Sequence, residues 1–270
     1  MLPNAQEWRR FYDIVKAKTG VDLDLYRSNQ LQRRTVSMVE SLTLKSLDEF
    51  TKWFGESAVN QRWFLDKMAI NVSELFRNPE KWTEMINKVL PELGADKKGL
   101  KVWSAGCSYG AEAHTLAMIL DQKFRGRHQI LGTDIDQDAL DQAKRGEFSE
   151  SDVRWVPREY KSTYLRQEGT KWFATDVLRS YLTFRKGNLL ADRFDSGYDL
   201  IMCRNVVIYF TDEAKEELYR KFYNALRPGG ILFVGSTERV TNYRDLGFDT
   251  GLPFFYRKPL EGNNQWRNAS

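Results

Sequence analysis

The stretch Leu100-Lys-Val-Trp-Ser-Ala-Gly-Cys-Ser-Tyr-Gly-Ala-Glu112 decides the fold. A short apolar run over 100–104 meets a turn containing Gly106 and Gly110, and an Ala/Leu-rich segment over about 112–120 follows. Strand, glycine turn and helix in that order open a βαβ unit. The same grammar recurs downstream. Gln129-Ile-Leu-Gly-Thr133 is a second strand ending at Asp134, and Asp136 is placed to cap the next helix. Tyr198-Asp-Leu-Ile-Met-Cys203 is another apolar strand, and a helix over 212–226 meets the stop Arg227-Pro-Gly-Gly230. Ile231-Leu-Phe-Val-Gly235 is a last buried strand. Strands alternating with helices predict a doubly wound, parallel, Rossmann-like α/β sheet.

Working outward, residues 1–70 read as an all-α domain. Trp8, Phe11, Tyr12 and Val15 recur at helical spacing, as do Leu47, Phe50, Trp53 and Phe54 behind the capping box Ser46-x-x-Glu49. Between them, 31–39 is amphipathic, with Arg33 and Arg34 on a polar face. Asn78-Pro79 opens a helix with the stripe Trp82, Met85, Ile86, Val89 and Leu90. Pro91, Gly94 and Asp96-Lys97-Lys98 mark a boundary, so 71–95 reads as a linker and 96–260 as the α/β domain. Residues 155–186, with short strands expected at 163–165 and 172–174, read as a small β-rich insertion; 261–270 reads as a polar, disordered tail.

Composition narrows the function. The chain has 270 residues, enough for a large α/β domain and a small helical one. Its 41 basic residues are nearly balanced by 37 acidic ones, leaving a net charge of +4, which gives no electrostatic footprint for nucleic acid. Cys107 and Cys203 read as reduced, buried thiols of a cytoplasmic protein. His114 and His128 are bystanders, and no Cys/His spacing suits a metal. No apolar signal segment opens the chain and no run is long enough to span a bilayer.

In a doubly wound sheet the ligand lies at the carboxyl ends of the strands. At the first such end Gly106 lets the backbone approach a cofactor, and at the second Asp134 can accept hydrogen bonds from both hydroxyls of a ribose. The pair suits any adenosine cofactor, and it also reads as a plain tight turn with a helix-capping acid. The middle glycine of the dinucleotide fingerprint is absent. That disfavours a pyrophosphate seat and a nicotinamide oxidoreductase, and it fits a nucleoside sulfonium.

Several segments together resemble one family, the chemotaxis receptor methyltransferases (CheR family), from about residue 8 to 258. They are Ile70-Asn-Val-Ser-Glu-Leu-Phe-Arg77, Trp103-Ser-Ala-Gly-Cys-Ser-Tyr-Gly-Ala-Glu112, Thr133-Asp-Ile-Asp136, Gly187-Asn-Leu-Leu190 and Cys203-Arg-Asn-Val-Val-Ile-Tyr-Phe210. The resemblance implies a class I methyltransferase domain with a β-subdomain behind a helical domain, acting on receptor glutamates with S-adenosylmethionine and releasing S-adenosylhomocysteine without a metal. By the same resemblance Asn71, Ser73 and Arg77 reach over the cofactor from the linker. Gly106, Glu112, Asp134, Asn188, Leu189, Cys203, Arg204 and Asn205 hold it, Asp134 at the ribose and Asn188 and Leu189 beside the adenine. Arg77 and Tyr209 stand at the transferring methyl, and the basic pair Arg33 and Arg34 docks onto the acidic helices of the receptor. The sequence gives no sign of an obligate oligomer, so a monomer is expected. The compact 164–172 hairpin reads as lacking the peptide grip of some members.

Departures from the family pattern are concentrated in one turn. Tyr109, Ala111, Ala113 and His114 stand where the family usually carries threonine, an acid, proline and tyrosine, and Ser73 replaces a threonine while Leu75 replaces an aromatic. The altered turn from Tyr109 to His114 leaves open a receptor-docking or cofactor-sensing module with weakened transferase activity. A methyltransferase for another substrate, such as an RNA base, is a separate reading that the near-neutral charge and the lack of an aromatic–basic RNA platform disfavour.

Overall fold

The fold is described from a computed structural model covering residues 3–69, 71, 73–95, 99–124, 126–236 and 238–260. Ile70 and Val72 of the linker motif, the boundary residues Asp96-Lys97-Lys98 and the tail expected over 261–270 lie outside the described residues. Helices α1 (Ala5–Thr19), α2 (Ser28–Ser41), α3 (Leu47–Glu56) and α4 (Ala58–Met68) form the N-terminal part. In α1 a complete capping box between Asn4 and Glu7 satisfies the first amides, and Gly20, in the left-handed region at φ 73°, ends the helix. The α1 stripe buries Phe11 edge-on against Phe64, with ring centroids 5.4 Å apart, and packs it on Phe50 and Phe54. Ser46 caps α3, but the Glu49 carboxylate takes the Lys45 amide at 2.8 Å in place of the Ser46 amide.

Within the linker, α5 (Pro79–Glu84) starts at proline, as the Asn78-Pro79 pair predicts. It continues through a π-helical turn at Met85–Val89 into α6 (Leu90–Leu93). Pro91 has no N–H to offer the preceding turn, which accounts for the widened ladder there. The large sheet comprises β1 (Lys101–Ala105), β2 (Gln129–Asp134), β6 (Leu182–Lys186), β7 (Tyr198–Cys203), β8 (Leu226–Val234), β9 (Asp249–Leu252) and β10 (Phe255–Arg257). Helices α7 (Ala111–Lys123), α8 (Gln137–Arg145) and α10 (Asp212–Ala225) cover it.

A separate sheet joins β3 (Glu147–Ser149), β5 (Lys171–Ala174) and β4 (Leu165–Glu168) in the order β3-β5-β4, beside α9 (Arg158–Tyr164). Two expectations shift here. Residues 163–164, read as strand, close α9, and Leu182–Lys186, read with the insertion, pairs in parallel with β2. A third concerns Arg227-Pro-Gly-Gly230, which is not a loop after the helix: α10 ends at Ala225 and β8 begins at Leu226. The strand absorbs Pro228 through a register shift against β7, with Gly229 at φ 75°.

The large sheet runs β6-β2-β1-β7-β8-β10-β9, parallel except around β10. Counted within this sheet alone, the order is 3-2-1-4-5-7-6, so the winding reverses between β1 and β7. Chains leaving these two strands diverge and open a crevice. The helical part closes it. The Arg27 amide donates to the Tyr209 carbonyl and the Thr211 amide to the Leu25 carbonyl, each at 2.9 Å, in a short antiparallel bridge. The Arg27 guanidinium adds a bond to the Phe210 carbonyl (3.2 Å) and an ion pair with Asp212 (3.0 Å).

Candidate active site

A cavity of about 260 Å³ lies at this crevice. Its floor is the turn after β1, where Gly106, Ser108 and Gly110 all have positive φ. A side chain at Gly106 would bring its Cβ within 2.5 Å of Val206, so glycine is required for the loops after β1 and β7 to approach. Asp134, at the end of β2, takes the Ser108 amide on Oδ2 (2.7 Å) and the Asp136 amide on Oδ1 (3.0 Å). Burial raises its pKa, and these amides oppose that by stabilising the anion.

Glu112, in the first turn of α7, accepts from Ser104 Oγ (3.1 Å) and pairs with Arg204 Nη1 at 3.2 Å. The pair is buried, the Arg204 side chain being 6% exposed and that of Glu112 14%. Arg204 Nη2 donates to Asn78 Oδ1 (2.9 Å), which explains why Asn78 does not cap α5 with its side chain. Arg204 Nε is buried without a hydrogen-bond partner among the described residues.

The linker forms one wall. Asn71 donates to Asp136 Oδ2 (2.6 Å) and accepts from Ser108 Oγ (2.7 Å). Ser73, Glu74 and Arg77 also line the cavity, and the Arg77 carbonyl is fixed by Trp82 Nε1 at 3.0 Å. The opposite wall carries Asn188, Leu189, Arg204, Asn205 and Tyr209. Asn188 is clamped by Asp192 and reaches the Gly20 carbonyl at 3.5 Å. Burial raises the pKa of Tyr209, so its hydroxyl stays protonated and able to donate.

The structure therefore brings together on one cavity Asn71, Ser73, Arg77, Gly106, Glu112, Asp134, Asn188, Leu189, Arg204, Asn205 and Tyr209. Cys203 does not line it, for its side chain is wholly buried at the end of β7. Burial pushes the thiols of Cys203 and Cys107 up, which makes both poor nucleophiles. The basic pair on α2 is split. Arg33 is exposed, whereas Arg34 turns inward, lines the cavity and donates to the Lys67 carbonyl at 2.5 Å. Sequence reading missed Tyr26, Gln30 and Leu31, which line the cavity from the helical part, and Glu238, which is buried behind it.

The atypical turn has a structural account. Tyr109 Oη takes the Ser73 amide at 3.0 Å and shares its proton between the Ser73 carbonyl and the Asp152 carboxylate, 3.0 Å away. It thus latches the linker to the turn and to the segment after β3. Tyr109→Phe is expected to cost about 2 kcal/mol, read as a melting temperature lower by roughly 4–8 °C; an unchanged melting temperature would remove the latch. Ala111 faces the core, wholly buried, and not the cavity. His114, also buried, stacks on Phe184 and has its pKa pushed down to about 4 by burial, so it is neutral.

These residues fit a nucleoside carrying an amino-acid tail. The glycine turn admits close approach, Asp134 offers a carboxylate at the strand end where ribose hydroxyls are accepted, and the orphaned Arg204 Nε awaits an acceptor. A 3-2-1-4-5-7-6 sheet with such a site defines a class I, S-adenosylmethionine-dependent methyltransferase. Comparison with known proteins gives the family. The description "CheR methyltransferase, SAM binding domain" matches residues 71–249, and the chain belongs to this CheR family. It is 37% identical over 261 residues to the chemotaxis protein methyltransferase of Listeria monocytogenes, covering 96% of this chain and 100% of that one. To the protein of the same name in Borreliella burgdorferi it is 28% identical over 267 residues, covering 93% and 94%. Among solved structures, it shares 13% identity with an S-adenosylmethionine-bound amino pentose methyltransferase of Micromonospora echinaspora, covering 57% of this chain and 49% of that one at a TM-score of 0.36. The chain is thus a methyltransferase of chemotaxis that uses S-adenosylmethionine. Among the described residues no helix is long and apolar enough to cross a membrane.

Proposed function

We propose that the chain methylates glutamate side chains on the cytoplasmic helices of methyl-accepting chemoreceptors, working in the cytoplasm as a monomer and leaving S-adenosylhomocysteine. The observation that carries this reading is the convergence of a linker arginine, Arg77, and Tyr209 on the cavity that also holds Asp134 and the Gly106 turn. The names of the relatives supply the chemotactic context. In this reading 1–70 is a receptor-facing helical domain with Arg33 on its outer side, 71–95 the linker, and 96–260 the transferase domain.

Asp134 accepts from the ribose, Asn188 and Leu189 flank the adenine, and Gly106, Glu112, Arg204, Asn205 and the backbone of Cys203 hold the amino-acid end. Asn71, Ser73 and Arg77 close over it from the linker. The sulfonium supplies an already activated methyl group. A glutamate carboxylate is ionised at neutral pH, so the protein needs no general base. Arg77 orients that carboxylate through its planar fork, and Tyr209 donates a hydrogen bond at the same place. Arg34, facing the same cavity, adds positive charge on the side of the helical part.

The reading is tested by incubating the protein and S-adenosylmethionine with a receptor cytoplasmic domain and mapping the products by mass spectrometry. Methyl esters on glutamates are expected, and Arg77→Ala should slow their formation about a hundredfold, the scale of lost orientation. Methyl groups found on nucleic acid, or full turnover by Arg77→Ala, would contradict it.

A further inference from the structure

The carboxylate of Glu238 is used by nothing described so far. It is 4% exposed, lies just beyond β8 and is absent from the cavity lining. Its Oε2 accepts from the Asn205 amide at 2.5 Å and the Gly235 amide at 3.0 Å, and its Oε1 accepts from the Val207 amide at 3.0 Å. One side chain therefore ties the end of β8 to the loop that leaves β7. Gly235 is required beneath it, since a Cβ there would run into Oε2.

That loop needs such support. Asn205 is in the left-handed region at φ 60°, a conformation that asparagine adopts more readily than most non-glycine residues. Val207 opens the 3₁₀ turn Val207–Tyr209, and its amide has no partner inside that turn. Val206 packs on Gly106, and the Tyr209 carbonyl holds the Arg27 amide. The loop is fixed at its near end by Glu238 and at its far end by the helical part, with Tyr209 between them.

We infer that Glu238 is a positioning residue for methyl transfer, whose buried carboxylate holds the loop after β7 in the shape that presents Tyr209 to the cavity. The inference rests on the transfer role given to Tyr209 above. Burial raises the pKa of Glu238 while the surrounding amides favour its anion. The residue acts through the loop and touches no reactant.

Glutamine at 238 has the same shape but one accepting oxygen. It can keep the Asn205 and Gly235 bonds only by turning its NH2 towards the Val207 amide. Glu238→Gln should therefore release the turn that carries Tyr209 and leave the cofactor seat in place. The expected results are a kcat about tenfold lower, a dissociation constant for S-adenosylmethionine within about twofold of wild type, and no further loss when the change is made in a Tyr209→Phe background. Amide exchange at 207–209 should quicken at least tenfold, a reading that needs no receptor. Unchanged exchange overturns the inference, as does an equal kcat loss in both backgrounds, a cofactor affinity that falls in step with kcat, or a fully active Tyr209→Phe. If Glu238→Gln does not fold, Glu238→Asp, too short to span both loops, takes its place, with the same expectations for amide exchange at 207–209 and for the loss of kcat in the two backgrounds. A wild-type protein that binds S-adenosylmethionine and methylates no receptor counts against the proposed substrate, and the exchange measurement still decides the role of Glu238.

Discussion

Asp134→Ala is expected to raise the dissociation constant for S-adenosylmethionine about a hundredfold. Asp134 is a half-buried carboxylate at the end of β2 that faces the cavity. Its two oxygens already organise the Ser108 and Asp136 amides, so it arrives at the ligand pre-positioned. A hydrogen bond to a charged group contributes about 1.5–3 kcal/mol, and two hydroxyls share this acceptor in the proposed complex. About 2.8 kcal/mol corresponds to the hundredfold loss. The alanine also leaves the Ser108 amide without an acceptor at a turn that already holds Ser108 at φ 49°. Titration calorimetry reads the result, and an affinity within threefold of wild type would show that the ribose does not meet Asp134.

The second large effect is on stability. Glu112→Ala removes one partner of the buried Glu112–Arg204 pair and leaves the guanidinium in the core, where it lies 4.7 Å from the Phe233 ring centroid. Breaking such a pair from one side costs about 3–5 kcal/mol, because the remaining charge has lost water and partner together. Denaturant unfolding should show that loss, and Glu112→Gln, which keeps an acceptor for Arg204, should lose less than half of it. If alanine and glutamine were equally mild, the ion pair would be incidental to the fold.

Much of this site could be read before the fold was known. Gly106 and Asp134 follow from one rule, that ligands meet the carboxyl ends of parallel strands, once the apolar runs at 100–104 and 129–133 are taken as strands, whereas Glu112 came only with the family resemblance. Arg34 shows a signal that was present and passed over. Leu31, Thr35 and Met38 form the buried stripe of α2, and a residue three after Leu31 lies beside that stripe, whereas Arg33 falls outside it. Tyr26 and Gln30 carried no local signal, because the bridge between Tyr26 and Phe210 joins residues far apart in the chain. Glu238 was equally silent, a lone acid in a loop whose partners are backbone amides of another loop. The β9–β10 hairpin is short and its first strand contains Gly251, so it lacks a readable alternation.

The unusual turn after β1 follows the same logic. Position 111 points into the core, so a carboxylate missing there is missing from the hydrophobic layer and not from the cavity wall. Tyr109 puts its hydroxyl on Ser73 and Asp152, which gives the turn a hold on the linker that a shorter side chain would not reach.

The central claim is that carboxyl groups of chemoreceptors receive the methyl group. Labelled S-adenosylmethionine, the purified protein and membranes bearing chemoreceptors test it most directly, followed by mild base and collection of volatile label. Release of the protein-bound label as methanol is the predicted result, since a carboxyl methyl ester hydrolyses under these conditions. Label that stays on protein or nucleic acid through the base treatment, or no label with S-adenosylmethionine bound, would contradict it.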